Sequence, residues 1–124
     1  MDDVATNRVV LRAMLSRFGH VDEAAGGASA LQLYRDAAAS GEMYDLLLLD
    51  IMMPDMDGIT LLNEVRAFER EEDLPGTAAV MTTATDQRHH VTGASRAGAV
   101  GFLLKPLSPQ KVVGMLKRLE LIEA

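Results

Sequence analysis

The sequence predicts an α/β fold, a doubly wound parallel sheet, and three observations carry that expectation. Short apolar runs alternate with helical segments of about 10 to 15 residues, as in successive strand–helix units. The run Tyr44–Asp50 is continuous in apolar character and bounded by polar residues, as a strand buried on both faces should be. The strand candidates end on residues capable of chemistry, Asp50, Thr83 and Lys105. In open α/β sheets ligands bind beyond the carboxyl ends of the strands, so these three side chains are expected on one rim.

Each element has its own signal. A first helix is expected over about 6–18, with Leu11, Leu15 and Phe18 on one face, Val10 and Met14 beside them, and Gly19 to stop it. A short strand fits around His20–Ala24. Gly26-Gly27 then turns the chain into a helix through Leu31 and Tyr34 that ends near Ser40-Gly41. The strand to Asp50 follows, then a loop with Pro54 and Gly58. The next helix uses Leu61, Leu62, Val65 and Phe68, and its charged end Glu69–Asp73 is expected to be solvated. Strands are expected over 78–83 and 100–104, with a helix over 86–97 between them. Ser108-Pro109 supplies an N-cap and first-turn proline for a last helix with Val112, Leu116 and Leu119 inward.

Composition narrows the function classes. The 124 residues suit one domain, expected to span 1–124 without a linker or repeat. With 48% hydrophobic but only 4% aromatic residues, the core must be aliphatic and methionine-rich. There is no cysteine, so disulfides, thiolate nucleophiles and thiolate zinc sites are excluded. A formal charge of −6 argues against a nucleic-acid surface. No run reaches the roughly 20 apolar residues of a membrane helix, and the start is unlike a signal peptide. A soluble, cytoplasmic protein that binds neither membrane nor nucleic acid is expected.

At the rim, the acidic residues Asp2, Asp3 and Asp50 would meet Lys105. Clustered carboxylates raise one another's pKa unless a cation neutralises them. Oxygen ligands without His or Cys favour a hard ion such as Mg²⁺. A carboxylate beside that ion can act as a nucleophile toward phosphorus, and phosphoryl transfer needs mainly positioning and neutralisation of the phosphoryl oxygens. Lys105 and the Thr83 hydroxyl would help supply that neutralisation. The plain alternatives are an acidic strand cap at Asp50, a solvated terminus at Asp2-Asp3, a surface lysine at Lys105 and a mere strand-end hydroxyl at Thr83. His89 and His90 diverge by about 100° on a helix and read as a solvated face, not a ligand pair.

The stretch Asp50-Ile51-Met52-Met53-Pro54-Asp55-Met56-Asp57-Gly58 resembles the phosphorylation-site signature of response-regulator receiver domains. Lys105-Pro106, Thr83-Ala84 and Asp2-Asp3 followed by Thr6-Asn7-Arg8 resemble three further motifs of that family, in family order, over essentially the whole chain. The resemblance implies a flavodoxin-like receiver fold of strand order 2-1-3-4-5. It implies that Asp50 accepts phosphate from a phosphohistidine, and that Asp3, Asp2, Asp50 and the Met52 backbone carbonyl hold Mg²⁺. It further implies that Lys105 pairs with the phosphoryl group, aimed by a cis bond before Pro106, and that Thr83 and Phe102 form the switch. Met52 and Thr85 fall where receivers tune phosphoryl lifetime. The implied partners are a histidine kinase or histidine phosphotransfer protein and a downstream effector.

The chain departs from the family at its start. Only Met1 precedes Asp2, so the family's first strand is largely absent. An empty slot would leave buried polar groups unpaired at about 1–3 kcal/mol each, against a usual margin of about 5–15 kcal/mol. The expectation is compensation by neighbouring chain, by a homodimer or strand exchange, or fraying near Asp2-Asp3. The leading function is a phosphoacceptor switch that does not turn over as an enzyme. Against it stand a non-phosphorylatable interaction module of the same fold, and a phosphohydrolase. The last lacks the acid such an enzyme keeps two residues after its nucleophile, where Met52 stands.

Overall fold

The computed structural model describes residues 1–53, 56–84 and 88–122, with side chains from Thr92 onward in the last stretch. Helices α1 (Ala5–Leu15) and α2 (Gly27–Ser40) precede strand β1 (Leu46–Asp50). Helix α3 (Gly58–Glu71), strand β2 (Ala78–Thr83), helix α4 (Arg88–Ala97), strand β3 (Gly101–Leu104) and helix α5 (Pro109–Arg118) follow. The three strands form a parallel sheet in the order β1-β2-β3. Thr85 and residues 86 and 87, the first two of the helix that the sequence expects over 86–97, lie outside the described residues, as do the side chains of His89 and His90.

Two apolar clusters flank the sheet. Tyr34 of α2, Leu61, Leu62 and Val65 of α3, and Ala94 of α4 pack with Leu49, Ala79 and Met81 on one side. Val80 and Leu103 pack with Val112, Met115 and Leu116 of α5 on the other, with Met14, Leu15 and Phe18 at its margin. Each fully buried leucine of this kind contributes about 1.5–3 kcal/mol through removal from water. Gly41 ends α2 in the left-handed conformation (φ 78°), so the carbonyls of Ala37 and Ala38 are satisfied without a strained side chain.

At the start of α5 the Ser108 hydroxyl accepts a hydrogen bond from the Lys111 N–H at 3.2 Å, and Pro109 occupies the first turn, as its sequence indicates. Ser108→Ala is expected to lower the unfolding free energy by about 1 kcal/mol in urea titrations, since it orphans one helix donor.

Several expectations are corrected. α1 ends at Leu15 and not at Phe18, capped at Ser16 before Gly19 is reached, and Val10 is 43% exposed. The charged end of α3 is not all solvated. Glu69 is buried (3% exposed) and accepts bonds from Tyr34 Oη (2.5 Å), Arg66 Nη1 (2.8 Å) and the Thr77 N–H (2.9 Å). Burial acts most strongly on its carboxyl, and upward. The bonds from Tyr34, Thr77 and Arg66 outweigh it and leave the pKa below the usual value. Arg66 also donates to the carbonyls of Ala97 and Gly98, and so closes the carboxyl end of α4.

No strand forms at His20–Ala24. A strand needs a partner along its length, and here the segment meets its neighbour through the Asp2 N–H to Ala24 carbonyl bond. The Asp50 N–H donates to the Met1 carbonyl (3.0 Å), the Met1 amino group to the Leu48 carbonyl, and the Asp2 N–H to the Ala24 carbonyl (3.1 Å). Met1 thus bonds the outer edge of β1, and Asp2 bonds Ala24 on its other side. Beyond them lies a cleft of about 750 Å³ lined by Leu11, Leu15, Val21, Leu46, Leu48 and Leu116 among others. Its opening explains why Leu46, Leu47 and Leu48 are only partly covered, where the sequence predicts a strand buried throughout. In the segment where fraying is expected, Asp2 is 1% exposed and Asp3 is exposed.

Candidate functional site

Asp50 closes β1, and its backbone is fixed from three directions. The Asp50 N–H bonds Met1, the Ile51 N–H bonds the Thr82 carbonyl (3.1 Å), and the Gly58 N–H bonds the Ile51 carbonyl (3.1 Å). The start of α3 therefore lies against the end of β1, with Asp57 capping the helix through the Thr60 N–H at 2.7 Å. Gly58 is required for this approach. A β-carbon there would stand 2.5 Å from the Asp50 carbonyl oxygen. Gly58→Ala is expected to cost about 1–3 kcal/mol in chemical denaturation and to shift the Asp50 and Ile51 amide resonances, because backbone must yield.

The Lys105 N–H donates to the Thr83 carbonyl at 2.7 Å, which carries the β2–β3 register one residue past β3. The Lys105–Pro106 peptide is cis, as the resemblance implies. Lys105 Nζ reaches both Asp2 Oδ2 and Asp50 Oδ2, each at 3.0 Å. Asp50 is 3% exposed, and its Oδ1 accepts the Met52 N–H at 3.3 Å. Burial raises the Asp50 pKa most, and the Asp2 charge adds to the rise while Lys105 and the Met52 N–H oppose it. Burial would lower the Lys105 pKa, but the two carboxylates together carry it above its ordinary value.

Asp2, Asp3 and Asp50 bring carboxylate oxygens within 4.8 Å of one another, with Asp2 and Asp50 buried and Asp3 exposed. An all-oxygen set of this kind fits a hard divalent cation. Thr83 is 5% exposed at the end of β2, and Phe102 is half-buried in β3 against the α3–α4 side of the core. Met52 lies at the mouth and is 61% exposed, while Pro54 and Asp55 of the loop fall outside the described residues. The strand ends thus collect Asp50, Lys105 and Thr83 on the predicted rim, and the short amino-terminal segment adds Asp2 and Asp3.

A family model described as the response regulator receiver domain matches residues 1–117. The chain belongs to the response regulator receiver family. This receiver is 32% identical over 120 residues to the chemotaxis protein CheY of Bacillus subtilis, covering 95% of the chain and 92% of that protein. It is 34% identical over 119 residues to the aerobic respiration control sensor protein ArcB of Escherichia coli, covering 95% of the chain but 14% of the sensor. Receivers in both settings, stand-alone and within sensor kinases, are therefore similar to it.

Among solved structures, CheY in the CheX–CheY complex of Borrelia burgdorferi with BeF₃ and Mg²⁺ superimposes with a TM-score of 0.82 at 28% identity, over 96% of this chain and 84% of that one. The receiver domain of the sensor histidine kinase PA1611 of Pseudomonas aeruginosa, with magnesium in its active-site cleft, gives a TM-score of 0.74 at 27% identity over 95% and 91%. Such neighbours carry the flavodoxin-like fold, which agrees with the three-stranded parallel sheet and its surrounding helices. Among the described residues no helix is long and apolar enough to cross a membrane.

Sequence reasoning gave no role to Gly58, whose need for closeness is a tertiary property. It noted Asn7 and Arg8 only as part of a motif, although both bond Asp2. Their position in the first turn of a helix that follows an acidic pair is the signal that could have singled them out.

Proposed function

We propose that this receiver is a phosphoacceptor switch in which an Asp50 carboxylate oxygen attacks the phosphorus of a phosphohistidine. The new P–O bond forms as the P–N bond breaks, and the imidazole leaves with its electron pair. The single observation that best supports this reading is the buried Asp50 carboxylate held 3.0 Å from the Lys105 ammonium at the carboxyl end of the sheet. The ammonium opposes the rise that burial imposes on the Asp50 pKa, and it stands where negative charge accumulates during transfer.

Asp3, Asp2, Asp50 and the Met52 carbonyl are the groups that would hold Mg²⁺, which when bound neutralises phosphoryl oxygens. Lys105 exchanges part of its pairing with Asp50 for the arriving phosphoryl group. Thr83 donates its hydroxyl proton to a phosphoryl oxygen, and Phe102 follows that movement as the signal passed to an effector protein. The donor is a histidine kinase or histidine phosphotransfer protein, by analogy with the sensor proteins the chain resembles. The switch works in the cytoplasm and turns over no substrate beyond its own phosphoryl group.

Intact mass after incubation with acetyl phosphate and Mg²⁺ tests the reading. One added phosphoryl group that disappears with hydroxylamine, which cleaves acyl phosphates, is the expected result. An unmodified mass at every Mg²⁺ concentration would instead leave an interaction module of the same fold.

A further inference from the structure

Asp2 is buried, and its contacts explain how. Its N–H donates to the Ala24 carbonyl, and its own carbonyl accepts from Arg8 Nη1 at 2.8 Å. Its Oδ1 accepts from the Val4 N–H at 2.9 Å, and Asn7 Nδ2 lies 3.4 and 3.3 Å from the two carboxylate oxygens. Oδ2 faces Lys105. Asn7 thus touches both oxygens, while Oδ1 also takes the Val4 N–H and Oδ2 also meets the Lys105 ammonium on the charged side of the site.

Arg8 is the group that ties the Asp2 backbone to α1. A guanidinium with only one partner would be free to swing, but here Glu23 Oε1 stands 3.7 Å from Arg8 Nε, and Glu23 is itself bonded by Arg12. The Arg8 side chain is 21% exposed, so this brace is partly shielded from water and salt. Its planar fork engages the Asp2 carbonyl and Glu23 in two directions at once, a geometry a lysine ammonium does not reproduce.

We propose that Arg8, backed by Glu23, is a positioning residue that fixes Asp2 so that its Oδ2 is turned to the cation site. This inference rests on the metal-dependent reading of the site given above, and it assigns Arg8 no contact with the reacting atoms. Removal of the brace leaves the carboxylates in place but lets the Asp2 backbone move. The cation must then order that segment at its own expense, and the cost appears as weaker binding.

The test compares the full chain with Arg8→Ala, Arg8→Lys, Glu23→Gln and, as a control, the exposed Arg17→Gln. Mg²⁺ titrations are followed by calorimetry and by the Asp2 and Asp3 amide resonances, and circular dichroism reports folding. Arg8→Ala is expected to raise the Mg²⁺ concentration for half-saturation about tenfold, with Arg8→Lys and Glu23→Gln near threefold and the control unchanged. In Arg8→Ala, acetyl phosphate labelling should recover as Mg²⁺ is raised, which a loss of the nucleophile or of Lys105 would not allow.

A folded Arg8→Ala protein with the parent's half-saturation overturns the proposal. If Arg8→Ala does not fold, Arg8→Lys and Glu23→Gln decide: parent-like midpoints in both overturn it, and weakened ones support it. A parent that binds Mg²⁺ but takes no phosphoryl group overturns the proposed function, while the midpoints still decide the brace. A parent that binds no Mg²⁺ overturns the brace as well.

Discussion

Asp50→Asn is expected to abolish the phosphoryl adduct and to leave the fold at least as stable as the parent. Asparagine keeps the shape and can still accept the Met52 N–H, which now approaches Oδ1 at 3.3 Å. What it removes is a nucleophilic oxygen anion and one of two buried negative charges that share Lys105. The folded pKa of Asp50 is raised, burial being the main cause. Its ionisation is therefore less favourable folded than unfolded, so above the folded pKa the charge weakens the fold. Loss of that charge should raise the unfolding free energy at neutral pH by up to about 1 kcal/mol, because Asp2 keeps the ammonium to itself. Intact mass and urea denaturation on the same sample check both halves. A phosphoryl adduct on the variant would remove Asp50 from its proposed role.

The largest expected loss of stability lies elsewhere, in Glu69→Ala. That change leaves the Tyr34 hydroxyl, the Thr77 N–H and one face of Arg66 without their common acceptor in a site where Glu69 is 3% exposed. Removal of one partner from a buried charged network costs about 3–5 kcal/mol, a large share of the stability of a domain this size. Glu69→Gln should fall between, since an amide oxygen still accepts while the ion pair with Arg66 is gone. The pH dependence has a definite sign. The folded pKa of Glu69 is lowered from its usual 4.5. Its contribution is therefore present above the unfolded value and is lost as pH falls through the folded one. Denaturation of parent and Glu69→Gln at pH 7 and at pH 3 should show the gap between them narrowing in acid.

These two residues mark what local pattern can reveal. Asp50 was legible because an uninterrupted apolar strand ends on it and a recognisable loop follows. Glu69 was not. It opens a run of charges at the end of α3, and nothing within five residues announces that Tyr34 and Thr77 converge on it from 35 and 8 positions away. Helical periodicity identified Leu61, Leu62 and Val65 as the inner face of α3, yet the same periodicity carries on to Glu69, which is seven and eight residues after two of them. The charge of Glu69 outweighed its position on that face.

The same division holds along the whole chain. Strand β2 appears with the bounds its β-rich pattern predicts, and Ser108-Pro109 starts α5 as its local chemistry requires. Such features depend on residues next to one another, so sequence alone determined them, together with the family and the gathering of Asp50, Thr83 and Lys105 at one rim. The segment His20–Ala24 had strand-like character but no full-length neighbour, and pairing belongs to two segments, not one. Asp2 looked like a loose terminus in the sequence, yet Ala24, Val4, Arg8 and Lys105 bury it and fix it. The tertiary structure alone decided those outcomes, because hydrogen-bond partners and solvent access are properties of the assembled surroundings and not of the residue that receives them.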